Sequence, residues 1–261
     1  MRGDGTAVPK IRLRGLRKAF GAKQVLDGVD LDVAAGQGTV ILGGSGSGKS
    51  VTLKCILGLI EPDAGVIEID GRDVLRMSRR ERREVLDRTG MLFQNGALFD
   101  SLPVWENVCF KLLAQGRIPR AAARDRAAEV LEQVGLAPSV GDLYPSELSG
   151  GMQKRVALAR AVAARPDIVF FDEPTTGLDP IMGSVIDGLI ADVVKRLGAT
   201  ALSITHDIAS ARRIADTAAM IHHGRIVWTG PAANLGHSGN AMVDQFARGQ
   251  REGPIQMELR R

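Results

Sequence analysis

The sequence predicts an α/β fold with a glycine-rich loop in a parallel sheet, an antiparallel β flank and an inserted helical segment. The apolar, β-branched segment Gly38–Leu42 leads into the glycine-rich loop and then into an apolar helical pattern. Residues 168–171 form a continuous apolar run, as in a strand buried on both faces of a parallel sheet. The stretch between these parts favours helices. With 261 residues, 44% of them hydrophobic, the chain can bury a full α/β core.

Four further segments predict the remaining strands. Residues 11–16 alternate apolar and charged side chains, as an antiparallel edge strand does, and residues 25–33 alternate likewise. These two segments predict the β flank ahead of the loop. Two more strands are predicted over residues 66–71 and 89–94.

The glycine-rich loop matches the pattern G-x-x-x-x-G-K-[ST] between a predicted strand and a predicted helix, the context that a phosphate-binding loop requires. Glycines let main-chain N–H groups and the positive end of the helix approach a phosphate. Lys49 is expected to reach the β- and γ-phosphates of ATP, and the Ser50 hydroxyl to ligate Mg²⁺. A flexible Gly/Ser turn is the alternative. The predicted phosphate site comprises Gly43, Gly44, Ser45, Gly46, Ser47, Gly48, Lys49, Ser50 and Val51.

Two adjacent carboxylates end the most apolar predicted strand. Residues 168–171 deliver Asp172 and Glu173 to the carboxyl end of this strand, the edge at which parallel sheets bind ligands. Asp172 is expected to hold Mg²⁺, and Glu173 to orient or deprotonate an attacking water. Acidic residues that merely end a strand are the alternative. The phosphate-loop pattern upstream and segment 174–180 downstream favour a role in hydrolysis.

The helical segment is predicted from two runs of strong helix formers, residues 121–134 and 153–164. Ser149 is a good N-cap for the second helix, but the two glycines after it weaken a helix start. Glycines at a helix N-terminus let a phosphate approach the bare main chain, so Ser149, Gly150 and Gly151 form a candidate second anion site. A generic helix cap is the alternative.

Composition and charge exclude several functional classes. The net charge is only +4, with 34 basic and 30 acidic residues interspersed, which argues against nucleic-acid binding. Cys55 and Cys109 lie in apolar helical patterns without metal-ligand spacing, so reduced, buried thiols are expected. No segment reaches the roughly 18 consecutive apolar residues of a membrane span. The basic run 76–88 is either a solvated helix face or a contact for anionic lipid head groups.

Together, these motifs resemble the nucleotide-binding subunit of ATP-binding cassette (ABC) transporters over nearly the whole chain. The resemblance implies an ABC ATPase domain over residues 1–235 and a C-terminal tail over 236–261. Within this domain, a P-loop NTPase (RecA-like) core covers residues 8–96 and 165–235. The inserted α-helical subdomain covers residues 97–164.

The resemblance also identifies residues 148–151 as the signature motif of this family. The resemblance implies that Ser149 and Gly151 contact the γ-phosphate bound by Lys49 of a second copy, with Gly150 between them in the same nucleotide-binding segment. The resemblance thus implies a homodimer that holds two ATP molecules between its subunits.

Four more positions match family motifs. Phe20 matches the aromatic residue that stacks on adenine, with an ordinary core phenylalanine as the alternative. Gln94 matches the glutamine that contacts Mg²⁺ and the attacking water, and Asp179 matches an aspartate at the dimer seam. His206 matches the histidine that senses the γ-phosphate. The resemblance therefore implies catalytic roles for Glu173, His206, Gln94 and Lys49, and Mg²⁺ ligation by Ser50, Gln94 and Asp172.

A finer resemblance concerns the subfamily. Gly44 and Val51 replace a proline and a threonine that many members carry, and Met152 replaces the usual glutamine after the signature. Segment 244–255 resembles the ending of ATPases that serve maintenance-of-lipid-asymmetry and Mce-domain lipid transporters. It either reaches over the neighbouring protomer or is a frayed end.

The finer resemblance implies that the protein moves phospholipid or another hydrophobic cargo. It also implies an integral membrane permease as partner, peripheral attachment at the cytoplasmic face of the inner membrane, and an Mce-domain substrate-binding protein as a further candidate partner. Residues 99–107 are the expected docking segment for the permease. An importer ATPase for polar solutes such as amino acids is the alternative. A soluble ABC ATPase is a third alternative, although such proteins usually carry two cassettes or long coiled-coil insertions.

Overall fold

The computed structural model describes residues 8–256. The strands are β1 Ile11–Phe20, β2 Lys23–Val33, β3 Gly38–Leu42, β4 Ala64–Ile69, β5 Arg72–Asp73, β6 Thr89–Leu92, β7 Ile168–Asp172, β8 Thr200–Thr205, β9 Thr217–His222 and β10 Arg225–Pro231. The α-helices are α1 Lys49–Ile56, α2 Arg79–Leu86, α3 Val104–Ala114, α4 Arg120–Gln133, α5 Gly150–Val162, α6 Pro180–Leu197, α7 Ile208–Ile214 and α8 Ala241–Arg248. Short 3₁₀ helices lie at Pro138–Asp142, Pro145–Glu147 and Ala232–Asn234.

The chain forms two compact units, residues 8–76 with 204–256 and residues 77–203. In the first unit, β2, β1, β4 and β5 form an antiparallel sheet in that order. Strand β1 therefore has a neighbour on each side, and the expectation of an edge strand over 11–16 is wrong. Its alternation reports one buried face, on which Ile11, Leu13 and Leu16 lie. The alternation of side chains along a strand does not indicate how many neighbouring strands pair with that strand.

The first unit also contains a second group of strands. Strand β9 lies between β3, to which it is parallel, and β10, to which it is antiparallel. His223 and Gly224 form the turn between β9 and β10, with φ of 46° and 73°. Positive φ at both positions is what a type I′ hairpin turn requires.

The C-terminal segment folds back onto the first unit. Val243 is buried in a cluster with Leu42 and Met220, and Ile255 packs against the same cluster. The buried side chain of Gln245 accepts a hydrogen bond from the Ile255 N–H at 2.7 Å and donates to the Ile255 carbonyl at 3.0 Å. Because these hydrogen bonds hold both main-chain groups of Ile255 and its side chain packs on the buried cluster, the frayed-end alternative is wrong for the described part of the tail.

The second unit combines strands with helices. Its strands lie in the order β8, β7, β6, with β6 and β7 parallel. Helix α3 packs against α4 and α5, and the helices predicted over 121–134 and 153–164 are confirmed as α4 and α5. Residues 77–203 form one unit that contains both strands and helices. This unit therefore does not test the boundaries of the predicted helical subdomain, which stay a prediction.

Two features of composition have direct structural counterparts. Cys55 and Cys109 are free and buried, as expected. Helix α2, in the basic run 76–88, begins with a capping box between Ser78 and Glu81 and buries none of its residues, as a solvated helix face does. Among residues 8–256, no helix combines the length and hydropathy needed to cross a bilayer.

Candidate functional site

The predicted phosphate loop lies in the first unit, between β3 and α1. Its Gly46 and Gly48 have φ of 74° and 110°, values that only glycine adopts without strain. Gly48 is the N-cap of α1 and supplies no side chain to cap the helix. The first N–H groups of α1 therefore form an N-terminus suited to an anion.

Steric limits differ along the loop. A Cβ at Gly43 would lie 2.4 Å from the Ile221 carbonyl oxygen and 2.7 Å from Ser47 Oγ, so no side chain fits there. A Cβ at Gly44 or Gly46 would meet no heavy atom within 4 Å. The loop is thus tightly packed on the β9 side and open at two glycines, where a phosphate can approach the main chain.

The polar groups of the loop point into it. Lys49 is 7% exposed, and its Nζ donates to the carbonyl oxygens of Gly43 at 2.7 Å and Gly44 at 3.1 Å. The buried Ser47 Oγ has no hydrogen-bond partner among the described residues. A buried ammonium and a buried hydroxyl in one loop are the donors that phosphate oxygens need.

A cleft of about 320 Å³ opens beside the loop. It is lined by Phe20, Lys23, Val25 and residues 46–51. Phe20 is 49% exposed, so the alternative of an ordinary core phenylalanine is wrong. An exposed ring beside a phosphate loop offers a stacking surface for a nucleotide base. Lys23 and Val25 also line the cleft, but the alternating strand pattern around them gave no sign of this role.

The carboxylate pair lies in the second unit, at the end of β7. Glu173 is 9% exposed and has φ of 49°, an uncommon conformation for a residue with a side chain. Its carboxylate accepts a hydrogen bond from Thr176 Oγ1 at 3.0 Å. Such backbone conformations cluster at functional sites because the surrounding structure holds the side chain in one direction.

The signature residues begin α5 in the second unit. The Ser149 Oγ accepts a hydrogen bond from the Met152 N–H at 3.3 Å, which confirms the predicted N-cap. A Cβ at Gly150 would meet no heavy atom within 4 Å, which leaves its main chain open to a ligand. A Cβ at Gly151 would lie 3.0 Å from Met182 Sδ on α6. Gly151 therefore has a packing role that the sequence did not indicate.

Three other predicted residues lie in the segments that connect strands and helices. Gln94 is exposed after β6, and its main-chain carbonyl accepts a hydrogen bond from Lys154 Nζ. The Asp179 carboxylate is the N-cap of α6 and accepts from the Ile181 and Met182 N–H groups at 3.0 Å. His206 lies exposed between β8 and α7, and the next residue caps α7.

Lys154 contacts the predicted site residue Gln94 and was not itself predicted from the sequence. Its ammonium is buried on α5, burial lowers its pKa, and the negative charge of Asp172 opposes that shift. The structure thus brings the Gln94 main chain to this cation, which the charge of Asp172 also influences. The sequence offered no signal beyond a basic residue inside a strongly helical run.

Three features are typical of a nucleotide-hydrolysing protein. They are the phosphate loop, the Glu173 carboxylate on a strained backbone after a buried strand, and the glycine-rich start of α5. Residues 26–176 match the ABC transporter family. The chain belongs to that family and is the ATPase subunit of an ABC transporter.

Three comparisons illustrate this membership. The probable ribonucleotide transport ATP-binding protein mkl of Mycobacterium leprae is 41% identical over 95% of this chain and 71% of its own length. The intermembrane phospholipid transport system ATP-binding protein MlaF of Haemophilus influenzae is 40% identical over 95% of this chain and 94% of its own length. A dimeric ATP-binding cassette solved in a post-hydrolysis state with ADP and Pi is 31% identical, with a TM-score of 0.77 over 85% of this chain and 98% of its own. The predicted fold class is thereby confirmed.

Proposed function

We infer that the chain powers the movement of phospholipid, or of another hydrophobic cargo, through a membrane permease. The observation that carries this proposal is the similarity to the H. influenzae phospholipid transport protein, which extends over 94% of that protein and 95% of this chain. The two chains therefore align over nearly their full lengths. The C-terminal resemblance to lipid transporter ATPases supports the same cargo.

A polar solute is the second candidate cargo. The M. leprae relative, described as a probable ribonucleotide transport protein, is 41% identical and favours this alternative. In ABC transporters the subunits that bind the cargo select it, so the two candidates share one ATPase mechanism.

The proposed reaction uses the phosphate loop and Glu173. The main-chain N–H groups of the loop and the Lys49 ammonium bind the β- and γ-phosphates and stabilise the charge that develops on them during hydrolysis. Glu173 accepts a proton from the attacking water or orients it, and the strained backbone of Glu173 fixes its direction. Phe20 stacks on the adenine base at the mouth of the cleft.

The proposed ligands of Mg²⁺ are Ser50, Gln94 and Asp172. A hydroxyl, an amide carbonyl and a carboxylate all offer oxygen, the donor that Mg²⁺ prefers, so the chemistry of this set fits the ion. When bound, Mg²⁺ supplies positive charge that offsets the charge of the phosphates.

The proposed assembly is a homodimer closed by ATP. The main chain of Gly150 and the hydroxyl of Ser149, both exposed at the start of α5, cover the nucleotide held by Lys49 of the second copy, with Gly151 beside them. Asp179 lies at the seam, and His206 senses the γ-phosphate. ATP favours closure because its contacts with the second copy are absent from the open state.

The proposed docking surface for the permease includes Phe99 and Phe110. These rings are 43% and 41% exposed, and their centroids are 4.5 Å apart. Exposed aromatic pairs are typical of protein interfaces. The permease holds the chain at the cytoplasmic face of the inner membrane, and an Mce-domain protein is a further proposed partner.

Purification of the intact membrane complex through a tag on this chain tests the cargo. We expect a permease and stoichiometric phospholipid in the purified complex, identified by mass spectrometry, and ATPase activity that rises when lipid is supplied. A complex without bound lipid whose ATPase activity responds to a ribonucleotide or an amino acid would replace the lipid proposal with the polar-solute one.

Mixed dimers test the shared site. A Ser149→Arg subunit combined with a Lys49→Ala subunit has both changes at one composite site and leaves the other site intact. We therefore expect mixtures to recover measurable ATPase activity that neither variant shows alone. Activity in the Ser149→Arg homodimer equal to that of the unmodified protein would contradict the composite site.

A further inference from the structure

Helix α5 holds the segment that contains Gln94 by two cationic side chains. Lys154 Nζ donates to the Gln94 carbonyl oxygen. Arg160 Nη2 donates to the Gly96 carbonyl oxygen at 2.5 Å, and Arg160 Nη1 donates to the Ala97 carbonyl oxygen at 2.7 Å. We call residues 94–97 the glutamine loop. Its anchor points on α5 are six residues apart, about 9 Å along the helix axis.

Three carbonyl groups of the glutamine loop accept these bonds, whereas the Gly96 N–H donates to the Phe93 carbonyl oxygen at 2.8 Å. Gly96 and Ala97 have φ of 72° and 51°, so the chain leaves the extended conformation directly after β6. A Cβ at Gly96 would lie 3.5 Å from the Cβ of Ala157, so the loop runs along α5 in close contact. Carbonyl groups that leave a sheet need other donors, and bonds from charged donors are the stronger kind.

Lys154 faces two parts of the reaction site. It is 7% exposed, so its ammonium has left bulk water. Its hydrogen bond goes to the main chain of Gln94, and the charge of Asp172 favours its protonated form. A buried cation of this kind is retained only where its contacts compensate for lost hydration. The Lys154 side chain thus holds the main chain of one proposed Mg²⁺ ligand, Gln94.

We propose that Lys154 and Arg160 are positioning residues for ATP hydrolysis, which fix the glutamine loop on the signature helix. The start of α5 carries Ser149, so contact between nucleotide and Ser149 is transmitted along the helix to Gln94. This inference rests on the proposed roles of Gln94 and Asp172.

The test compares the buried Lys154 with the half-buried Lys111 in the full-length protein. Lys154→Met keeps most of the volume and removes the charge. Lys111→Met is the matched control, because Lys111 Nζ donates to the carbonyl oxygens of Thr89 at 2.7 Å and Leu86 at 3.1 Å, at the start of β6 instead of after its end. Burial lowers the pKa of both lysines.

For Lys154→Met we expect kcat to fall at least tenfold, KM for ATP to stay within about twofold, and the Mg²⁺ concentration for half-maximal activity to rise at least threefold. KM is preserved because the phosphate loop is unchanged. Lys154→Arg restores a cationic donor and should recover most of kcat. Lys111→Met should keep kcat within twofold. Equal losses in the two methionine variants, or an unchanged kcat in Lys154→Met, would overturn the proposal.

Two further variants complete the test. If Lys154→Met does not fold, Arg160→Gln carries the same expectation of a lower kcat with an unchanged KM, and a normal kcat there overturns the proposal. Gln94→Ala distinguishes the proposed role of Gln94 in hydrolysis from the positioning role of Lys154 and Arg160. A fully active Gln94→Ala variant would refute the proposed role of Gln94, whereas an inactive Gln94→Ala beside a normal Lys154→Met would refute only the positioning role.

Discussion

Replacing Gly43 with alanine tests the packing of the phosphate loop. The new Cβ would lie 2.4 Å from the Ile221 carbonyl oxygen and 2.7 Å from Ser47 Oγ, well inside contact distance. The first of these atoms belongs to the main chain of β9, a strand paired on both sides, and cannot turn away. The loop itself must therefore move.

Overpacking of this kind costs about 1–3 kcal/mol. For a chain of this size each kcal/mol lowers the melting temperature by about 2–4 °C, so Gly43→Ala is expected to lower it by about 2–12 °C. A shifted loop also redirects the main-chain N–H groups, so ATP affinity should fall as well.

Gly44→Ala is the control for this prediction. A Cβ at Gly44 meets no heavy atom within 4 Å, and the melting temperature should stay within about 2 °C of the unmodified protein. Circular dichroism measures unfolding of both variants, and calorimetry measures ATP binding. Unfolding of Gly43→Ala at the wild-type temperature, or an equal loss in Gly44→Ala, would refute the steric reasoning.

Three further predictions concern the reaction and the thiols. Glu173→Gln should keep ATP affinity by calorimetry and lower turnover by roughly 10²- to 10⁴-fold, the usual contribution of a general base; normal turnover would remove Glu173 from that role. Lys49→Ala should weaken ATP binding by roughly 10- to 150-fold, because hydrogen bonds from a charged group contribute about 1.5–3 kcal/mol; an unchanged dissociation constant would contradict the assignment. Burial raises the pKa of the Cys55 and Cys109 thiols to about 11, so the neutral thiol dominates below that pH. Neither should react with a thiol reagent at pH 8 until the protein unfolds, and rapid labelling of the native protein would show that these side chains are reachable.

Local patterns predicted those features that depend on a few consecutive residues. The phosphate loop was predicted because a main chain that binds phosphate needs glycines next to a helix start, and these residues are contiguous. The N-cap at Ser149 was predicted for the same reason. Strand β7 was recognised because burial on both faces leaves an unbroken apolar run.

Features that depend on distant residues were missed or misjudged. Strand β1 has the alternation of a half-buried strand, but its second neighbour, β4, follows much later in the chain. The packing role of Gly151 comes from Met182 on another helix. The C-terminal segment has few apolar residues, and part of its attachment comes from the Gln245 amide, a group that polarity alone places at the surface.

The amino-acid sequence by itself determined the class of this protein and the residues of its phosphate and signature motifs, because each motif acts through main-chain geometry over a short stretch. Only the tertiary structure decided how these residues are held. The Lys154 ammonium and the Gln94 carbonyl are 60 residues apart in the chain, and a hydrogen bond forms between them only after the fold has brought α5 beside the end of β6. Hydrophobic periodicity and helix or strand propensity depend on the neighbours of a residue along the chain. A polar contact such as this one depends on neighbours in space.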